Sequence, residues 1–266
     1  MGNKNSLFQH TYESKDPLFA PGGWLQDVTT RTTDRKTHPM TQTKKKLLTD
    51  DANNKWYYYP IDKNDRYDLI AVNDKTGIIM KKRIHGTPNI YEFEEHIIIA
   101  CEGDGEEGFV YQFSKQHLEI LNEWEIDGFI WDVNEFNGAV CVSAYVVDLD
   151  IARLYILNGK SIDFEELGTH FAPADLLVIQ NKLYISAYPL TENSPKKILM
   201  LDERFVVDRE YEVSICPRFL YENGKDILIQ ELDVKTGRSD RYVSLNLQNG
   251  KEVITQRKKP VRSVNF

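Results

Sequence analysis

The sequence predicts an all-β fold built from repeated four-stranded antiparallel units. Short runs of β-branched and aromatic residues recur at a steady spacing, polar or glycine-containing breaks separate them, and no long stretch shows helical periodicity. Apolar residues make up 41% of the 266 residues, which is enough to bury a substantial core. We therefore expect one domain over residues 1–266.

A repeat of 43 residues runs through the chain. Consecutive segments of this repeat align without gaps and begin 43 residues apart: 85–93, 128–136, 171–179 and 214–222. One further step of the same length reaches Arg257. A constant step of this size is typical of one four-stranded unit in an architecture that repeats around an axis.

Each repeat contains four predicted strands. The aligned segment supplies the first, two apolar runs supply the second and third, and a more polar run supplies the outermost fourth. The second strands are predicted over 97–100, 140–143, 183–186 and 227–230, the third over 109–113, 154–157, 198–201 and 242–245, and the fourth over 118–126, 162–169, 206–213 and 252–256.

The N-terminal part extends the same pattern. Residues 46–50, 55–59, 68–72 and 78–84 fit the four strands of one more unit, although 46–50 is a poor match. Residues 7–14, 24–30 and 37–43 fit the second, third and fourth strands of another, and 261–266 fits a first strand. Joining that C-terminal strand to the N-terminal strands would close a ring and leave no unpaired sheet edge.

The pattern resembles the six-bladed β-propeller superfold over almost the whole chain. The resemblance is architectural, because neither the sialidase box nor the receptor-propeller repeat occurs, and the pair Trp131-Asp132 lacks the Gly-His partner of WD repeats. It implies six four-stranded antiparallel blades, closed by the C-terminal strand joining the N-terminal blade. The alternative is five blades plus an N-terminal arm, since residues 1–45 are polar and match the repeat least well.

Charge and cysteine usage restrict the partners and the setting. The net charge of −8 argues against nucleic acid and anionic lipid, and no apolar stretch approaches the ~20 residues that span a bilayer. Cys101, Cys141 and Cys216 are odd in number and lie in apolar runs, so we expect buried, reduced thiols and a cytoplasmic protein. An exported protein whose signal peptide has been removed is the alternative.

Polar residues recur at the fifth position of the aligned segments, where inner strands would line a central channel. In a propeller the loops that enter the inner strands and those that join second to third strands share one face, where we expect the site. The predicted ligand-binding residues at this channel mouth are Asn89, Trp131, Asp132, Asp175, Arg218, His85 and His170. The alternative is a water-filled channel whose polar groups satisfy one another.

One acidic loop is a candidate metal site. Glu102, Asp104 and Glu106 supply carboxylates in a glycine-containing loop that could hold Ca²⁺, although the loop lacks the spacing of an EF-hand. A solvated hairpin loop is the alternative. We expect no other cofactor.

The sequence contains no motif that names a reaction. It lacks a nucleophile elbow, a phosphate-binding loop and a zinc-ligand spacing. We therefore expect a non-catalytic binding or scaffold propeller that recognises a protein, peptide or glycan on its loop face. The alternative is a hydrolase or lyase for a polar or sugar-like substrate, with Asp132 and Asp175 as an acid–base pair and Arg218 binding an anion.

Overall fold

Five four-stranded antiparallel sheets form the part of the chain that the computed structural model describes, which is residues 45–50, 52–61, 66–102, 107–191, 193–232 and 241–255. In every sheet the four strands lie side by side in chain order, apart from the direction in which the order is read. These residues include one turn of 3₁₀-helix, Val147–Leu149, and no α-helix. None of their helical segments is therefore long and apolar enough to cross a bilayer.

The strands, numbered in chain order, fall into sheets I to V. They are β1 Lys45–Thr49, β2 Asn54–Pro60, β3 Arg66–Asn73 and β4 Gly77–His85 in sheet I; β5 Thr87–Glu92, β6 His96–Glu102, β7 Glu107–Ser114 and β8 Ile120–Asp127 in sheet II; β9 Phe129–Phe136, β10 Ala139–Val146, β11 Ile151–Asn158 and β12 Ser161–Thr169 in sheet III; β13 Phe171–Ile179, β14 Lys182–Pro189, β15 Lys197–Leu201 and β16 Val207–Glu212 in sheet IV; and β17 Pro217–Asn223, β18 Asp226–Glu231, β19 Tyr242–Asn246 and β20 Glu252–Thr255 in sheet V.

The predicted strands of residues 45–255 are confirmed. The poorly matching segment 46–50 also forms a first strand, β1, which pairs with β2. The strands predicted over 7–14, 24–30, 37–43 and 261–266 lie outside the described residues.

The gapless alignment is wrong by one residue in sheet V. The equivalent inner-to-second-strand pairs are Ile90–Ile99, Val133–Val142, Leu176–Ile185 and Leu220–Ile229, so the last step of the repeat is 44 residues, not 43. The extra residue lies between β14 and β17, where all three connections are longer than their counterparts in sheet III. Phe219, and not Arg218, therefore takes the place that Asp132 and Asp175 hold in sheets III and IV.

Both faces of the second strands of sheets II to V are buried, which explains their continuous apolar runs. In β6, Ile97 and Ile99 pack into a cluster with Trp56 of sheet I, whereas Ile98 packs into a cluster with Val142 of sheet III. Alternate side chains of a strand point to opposite faces, so one apolar strand contributes to two interfaces between sheets. The outermost strands have solvent on one side and are accordingly more polar.

The three cysteines are free and buried, as predicted. Burial raises the pKa of the Cys141 thiol to about 12 and holds the pKa of Cys101 well above its usual value. Both thiols therefore stay protonated near neutral pH and act as small apolar side chains.

The junction between sheets II and III depends on Gly128. Its φ is +92°, and an added Cβ would lie 2.5 Å from the carbonyl oxygen of Tyr145. We expect Gly128→Ala to lower the free energy of unfolding by more than about 2 kcal/mol, because strain and a backbone clash act together. The measurement is urea denaturation followed by tryptophan fluorescence.

The matched control for that substitution is Gly138→Ala. Gly138 also has positive φ, +77°, but an added Cβ there would meet nothing within 4 Å. Only conformational strain is then expected, at a cost of about 1 kcal/mol. Equal losses in the two variants would show that the close approach at Gly128 relaxes freely.

Candidate functional site

One end of the sheets carries the loops that bring chemically useful side chains together. We call this end the loop face; it comprises the segments that enter the inner strands and those that join second to third strands. Contacts between the two kinds of segment define it: Leu232 donates its backbone N–H to Cys216, and the ring of His85 packs on Phe109 at 5.2 Å. The loops between third and fourth strands, including His117, lie at the opposite end.

Two predicted site residues, Asp132 and Asp175, join neighbouring sheets. Oδ2 of Asp132 accepts the backbone N–H of Leu176 at 2.9 Å, and Oδ2 of Asp175 accepts that of Leu220 at 2.6 Å. Because Leu176 and Leu220 are equivalent positions, the same bond recurs from sheet III to IV and from IV to V. Each carboxylate satisfies a backbone donor on the inner edge of the next sheet, where no further strand pairs.

The predicted anion-binding residue Arg218 is also engaged with its neighbours. It is 5% exposed, its Nη1 donates to the carbonyl of Ala174 at 2.6 Å, and its guanidinium lies over the rings of Trp131 and Phe219 at 5.4 and 4.4 Å. These contacts hold sheets III, IV and V together at their inner strands. They also bring three of the predicted site residues, Trp131, Asp175 and Arg218, into one region.

Asn89 lies at the same level in sheet II. Its Nδ2 donates to Oε1 of Glu102 at 3.2 Å, so the first carboxylate of the predicted metal loop faces the inner strand. Asp104 and Glu106 lie outside the described residues. No cluster of metal-ligating side chains occurs within the described ranges, and calcium binding stays a prediction.

Tyr91 of β5 lies near the predicted channel residues and was not among them. Burial raises the pKa of its hydroxyl well above the usual value, and the charges of Asp132, Glu102 and Asp175 raise it further, while Arg218 opposes them. The Tyr91 hydroxyl is therefore within electrostatic range of acids from three sheets and stays protonated as a hydrogen-bond donor. The sequence signal for Tyr91 was its position two residues after Asn89 on β5, because alternate residues of a strand share a face.

A second cluster lies on the loop face around His170. Nδ1 of His170 contacts Oδ2 of Asp150, and Oδ1 of Asp150 accepts both the Tyr145 hydroxyl at 2.5 Å and the His170 backbone N–H at 3.2 Å. Burial, with Asp150 adding, raises the pKa of Tyr145, which therefore stays a donor. The sequence predicted His170 on this face but not the two residues that orient it.

The backbone supports this arrangement at some conformational cost. Asp150 and His170 have φ of +53° and +64°, a region that side-chain-bearing residues rarely adopt. Nδ1 of His170 faces the Asp150 carboxylate, so Nε2 is the ring nitrogen that is left for a partner. The His170 side chain is 65% exposed, so its ring is held at the surface by residues behind it.

The inter-sheet role of Asp175 is testable. Asp175→Ala removes the acceptor of the buried Leu220 N–H, so we expect the free energy of unfolding to fall by about 1–3 kcal/mol. Asp208→Ala, at an exposed position of β16, is the control and should change it by less than about 0.5 kcal/mol. Equal values from urea denaturation would refute the joining role.

Comparisons with known proteins give the fold and no family. No protein-family model matches the chain, and no curated protein matches it in sequence. Among the similar solved structures, the Dos1 propeller has 12% identity and a TM-score of 0.55, and the match covers 84% of this chain and 61% of that one. Sqt1 from Saccharomyces cerevisiae has 10% identity and a TM-score of 0.52, and the match covers 75% of this chain and 57% of that one. BamB from Moraxella catarrhalis has 12% identity and a TM-score of 0.51, and the match covers 76% of this chain and 61% of that one.

The chain therefore spans 57–61% of the length of these three structures. At such low identity the likeness concerns the fold alone. Together with the repeated four-stranded sheets, it shows that this protein has the β-propeller fold.

Proposed function

We propose that this protein is a non-catalytic binding propeller that recognises a protein segment through its loop face. The observation that carries the proposal is the cluster of Tyr145, Asp150 and His170. It holds an exposed imidazole in one orientation at the surface, which lowers the conformational cost of binding a partner.

The channel residues support the same conclusion. Asp132 and Asp175 each use one carboxylate oxygen on a backbone N–H of the next sheet, and Asp175 and Arg218 are 3% and 5% exposed. An acid–base pair has to reach a substrate and exchange protons with it. Residues engaged in joining the sheets are better suited to rigidity than to proton transfer.

The test compares capture of proteins from a native host extract by immobilised wild type and two variants. We expect His170→Ala to lose at least about tenfold of the specifically retained protein, because the oriented imidazole ring is gone. His117→Ala, at an exposed histidine on the opposite face, is the matched control and should retain it. Equal retention by both variants would contradict the proposal.

A small polar ligand at the channel mouth is a second candidate, favoured by the polar side chains that the inner strands of sheets II, III and IV carry at the same level, Asn89, Asp132 and Asp175. One added variant, Tyr91→Phe, separates the two candidates. Binding of a channel ligand would be unaffected by His170→Ala and weakened by Tyr91→Phe, which removes the hydroxyl.

We also propose that the ring has six blades, the sixth combining residues 261–266 with strands from residues 1–44. Support comes from the five described sheets and from the repeat pattern in both terminal segments. Deleting residues 1–44 should then remove most of the stability against urea, because two flanking sheets lose a buried face. The five-bladed alternative expects the deletion to leave the unfolding midpoint unchanged.

A further inference from the structure

Four Asn-Gly dipeptides occur in the chain, and each lies at a turn between two consecutive strands of one sheet. They are Asn137-Gly138 between β9 and β10, Asn158-Gly159 between β11 and β12, Asn223-Gly224 between β17 and β18, and Asn249-Gly250 between β19 and β20. Tight turns favour this dipeptide because glycine adopts positive φ without a steric penalty. The missing Cβ of the glycine also leaves its backbone nitrogen unshielded beside the asparagine amide, and asparagine is a thermolabile residue.

In three of these turns a hydrogen bond holds the asparagine side chain. Nδ2 of Asn137 donates to the backbone carbonyl of Glu203 at 2.9 Å, and Nδ2 of Asn223 donates to Oγ of Ser244 at 3.4 Å. Oδ1 of Asn249 accepts a backbone N–H from two residues further along the chain at 2.9 Å. Each bond favours one rotamer, so these amides approach the next backbone nitrogen only when the bond opens.

The turn between β11 and β12 differs from the other three. Asn158 and Gly159 are both exposed, and the Asn158 side chain makes no hydrogen bond to any residue in the described ranges. The Gly159 N–H has no acceptor among the same residues, whereas the Gly250 N–H donates to the carbonyl of Asn246 at 2.8 Å. An added Cβ at Gly159 would meet nothing within 4 Å, so the turn is open to water.

We propose that Asn158 is a site of spontaneous deamidation in the folded protein. The backbone nitrogen of Gly159 loses its proton and attacks the side-chain carbonyl carbon of Asn158, and ammonia leaves with that proton. The product is a five-membered succinimide ring. Water then opens the ring at one of its two carbonyls and gives aspartate or isoaspartate. The reaction consumes only water and changes no oxidation state.

Either product alters the outer hairpin of sheet III. Both place a new carboxylate at an exposed turn beside Lys160. Isoaspartate also routes the main chain through one additional carbon, so the backbone pair of residues 158 and 161 can no longer keep its geometry. The turn lies at the end of the sheets opposite the loop face, so the proposal is independent of the function proposed for that face.

The test follows all four asparagines in one sample of folded protein, incubated at mildly alkaline pH. Peptide mapping by liquid chromatography and mass spectrometry separates the aspartate and isoaspartate products from the asparagine peptides. We expect Asn158 to react at least about threefold faster than each of Asn137, Asn223 and Asn249, because the anchored amides react only after local opening.

The matched control is the same incubation in urea. Unfolding removes the anchoring bonds, and all four asparagines precede glycine, so their rates should converge. Gly159→Ala should slow the reaction at Asn158 at least about fivefold, because the added Cβ shields the attacking nitrogen, and should leave the other three rates unchanged. The proposal is overturned if Asn158 in the folded protein reacts no faster than Asn223, or if its lead over the other three is equally large in urea.

Discussion

Burial of both faces of the middle sheets, II to IV, is the constraint on which the rest of this structure depends. Because alternate residues of β6 reach opposite neighbours, Ile98 packs towards sheet III while Ile97 and Ile99 pack towards sheet I. None of these sheets can bury its apolar surface alone, so each one depends on its two neighbours. The same constraint explains why the second strands are almost entirely apolar and why polar residues collect at strand ends and on the outermost strands.

Apolar packing does not satisfy the backbone groups on the inner edges, and Asp132 and Asp175 do that work. Each accepts an N–H from the equivalent position of the next sheet, so a hydrogen bond fixes the height of one sheet against its neighbour. Arg218 adds a bond to the Ala174 carbonyl and packs between Trp131 and Phe219. Polar residues at the inner strands therefore contribute to rigidity.

Much of the fold was predictable from the chain, and the site only in part. Strand positions over residues 45–255 follow from the 43-residue repeat, because period and burial leave a direct mark on composition. The alignment placed Arg218 in the same column as Asp175, since one net extra residue between β14 and β17 leaves no trace in a gapless comparison. Tyr91 and the pairing of Asp150 with His170 were not predictable, because each joins elements that are distant in sequence.

The sequence by itself determined an all-β repeat of four-stranded sheets, buried cysteines and a set of polar residues at the inner strands. These properties depend on local period and composition, which every repeat carries separately. Only the tertiary structure decided what those polar residues do. The Asp132 carboxylate joins sheets III and IV because the Leu176 N–H lies 2.9 Å from it. It also brought Asp150 and His170 together, because the pairing of β11 with β12 places the ends of these two strands side by side.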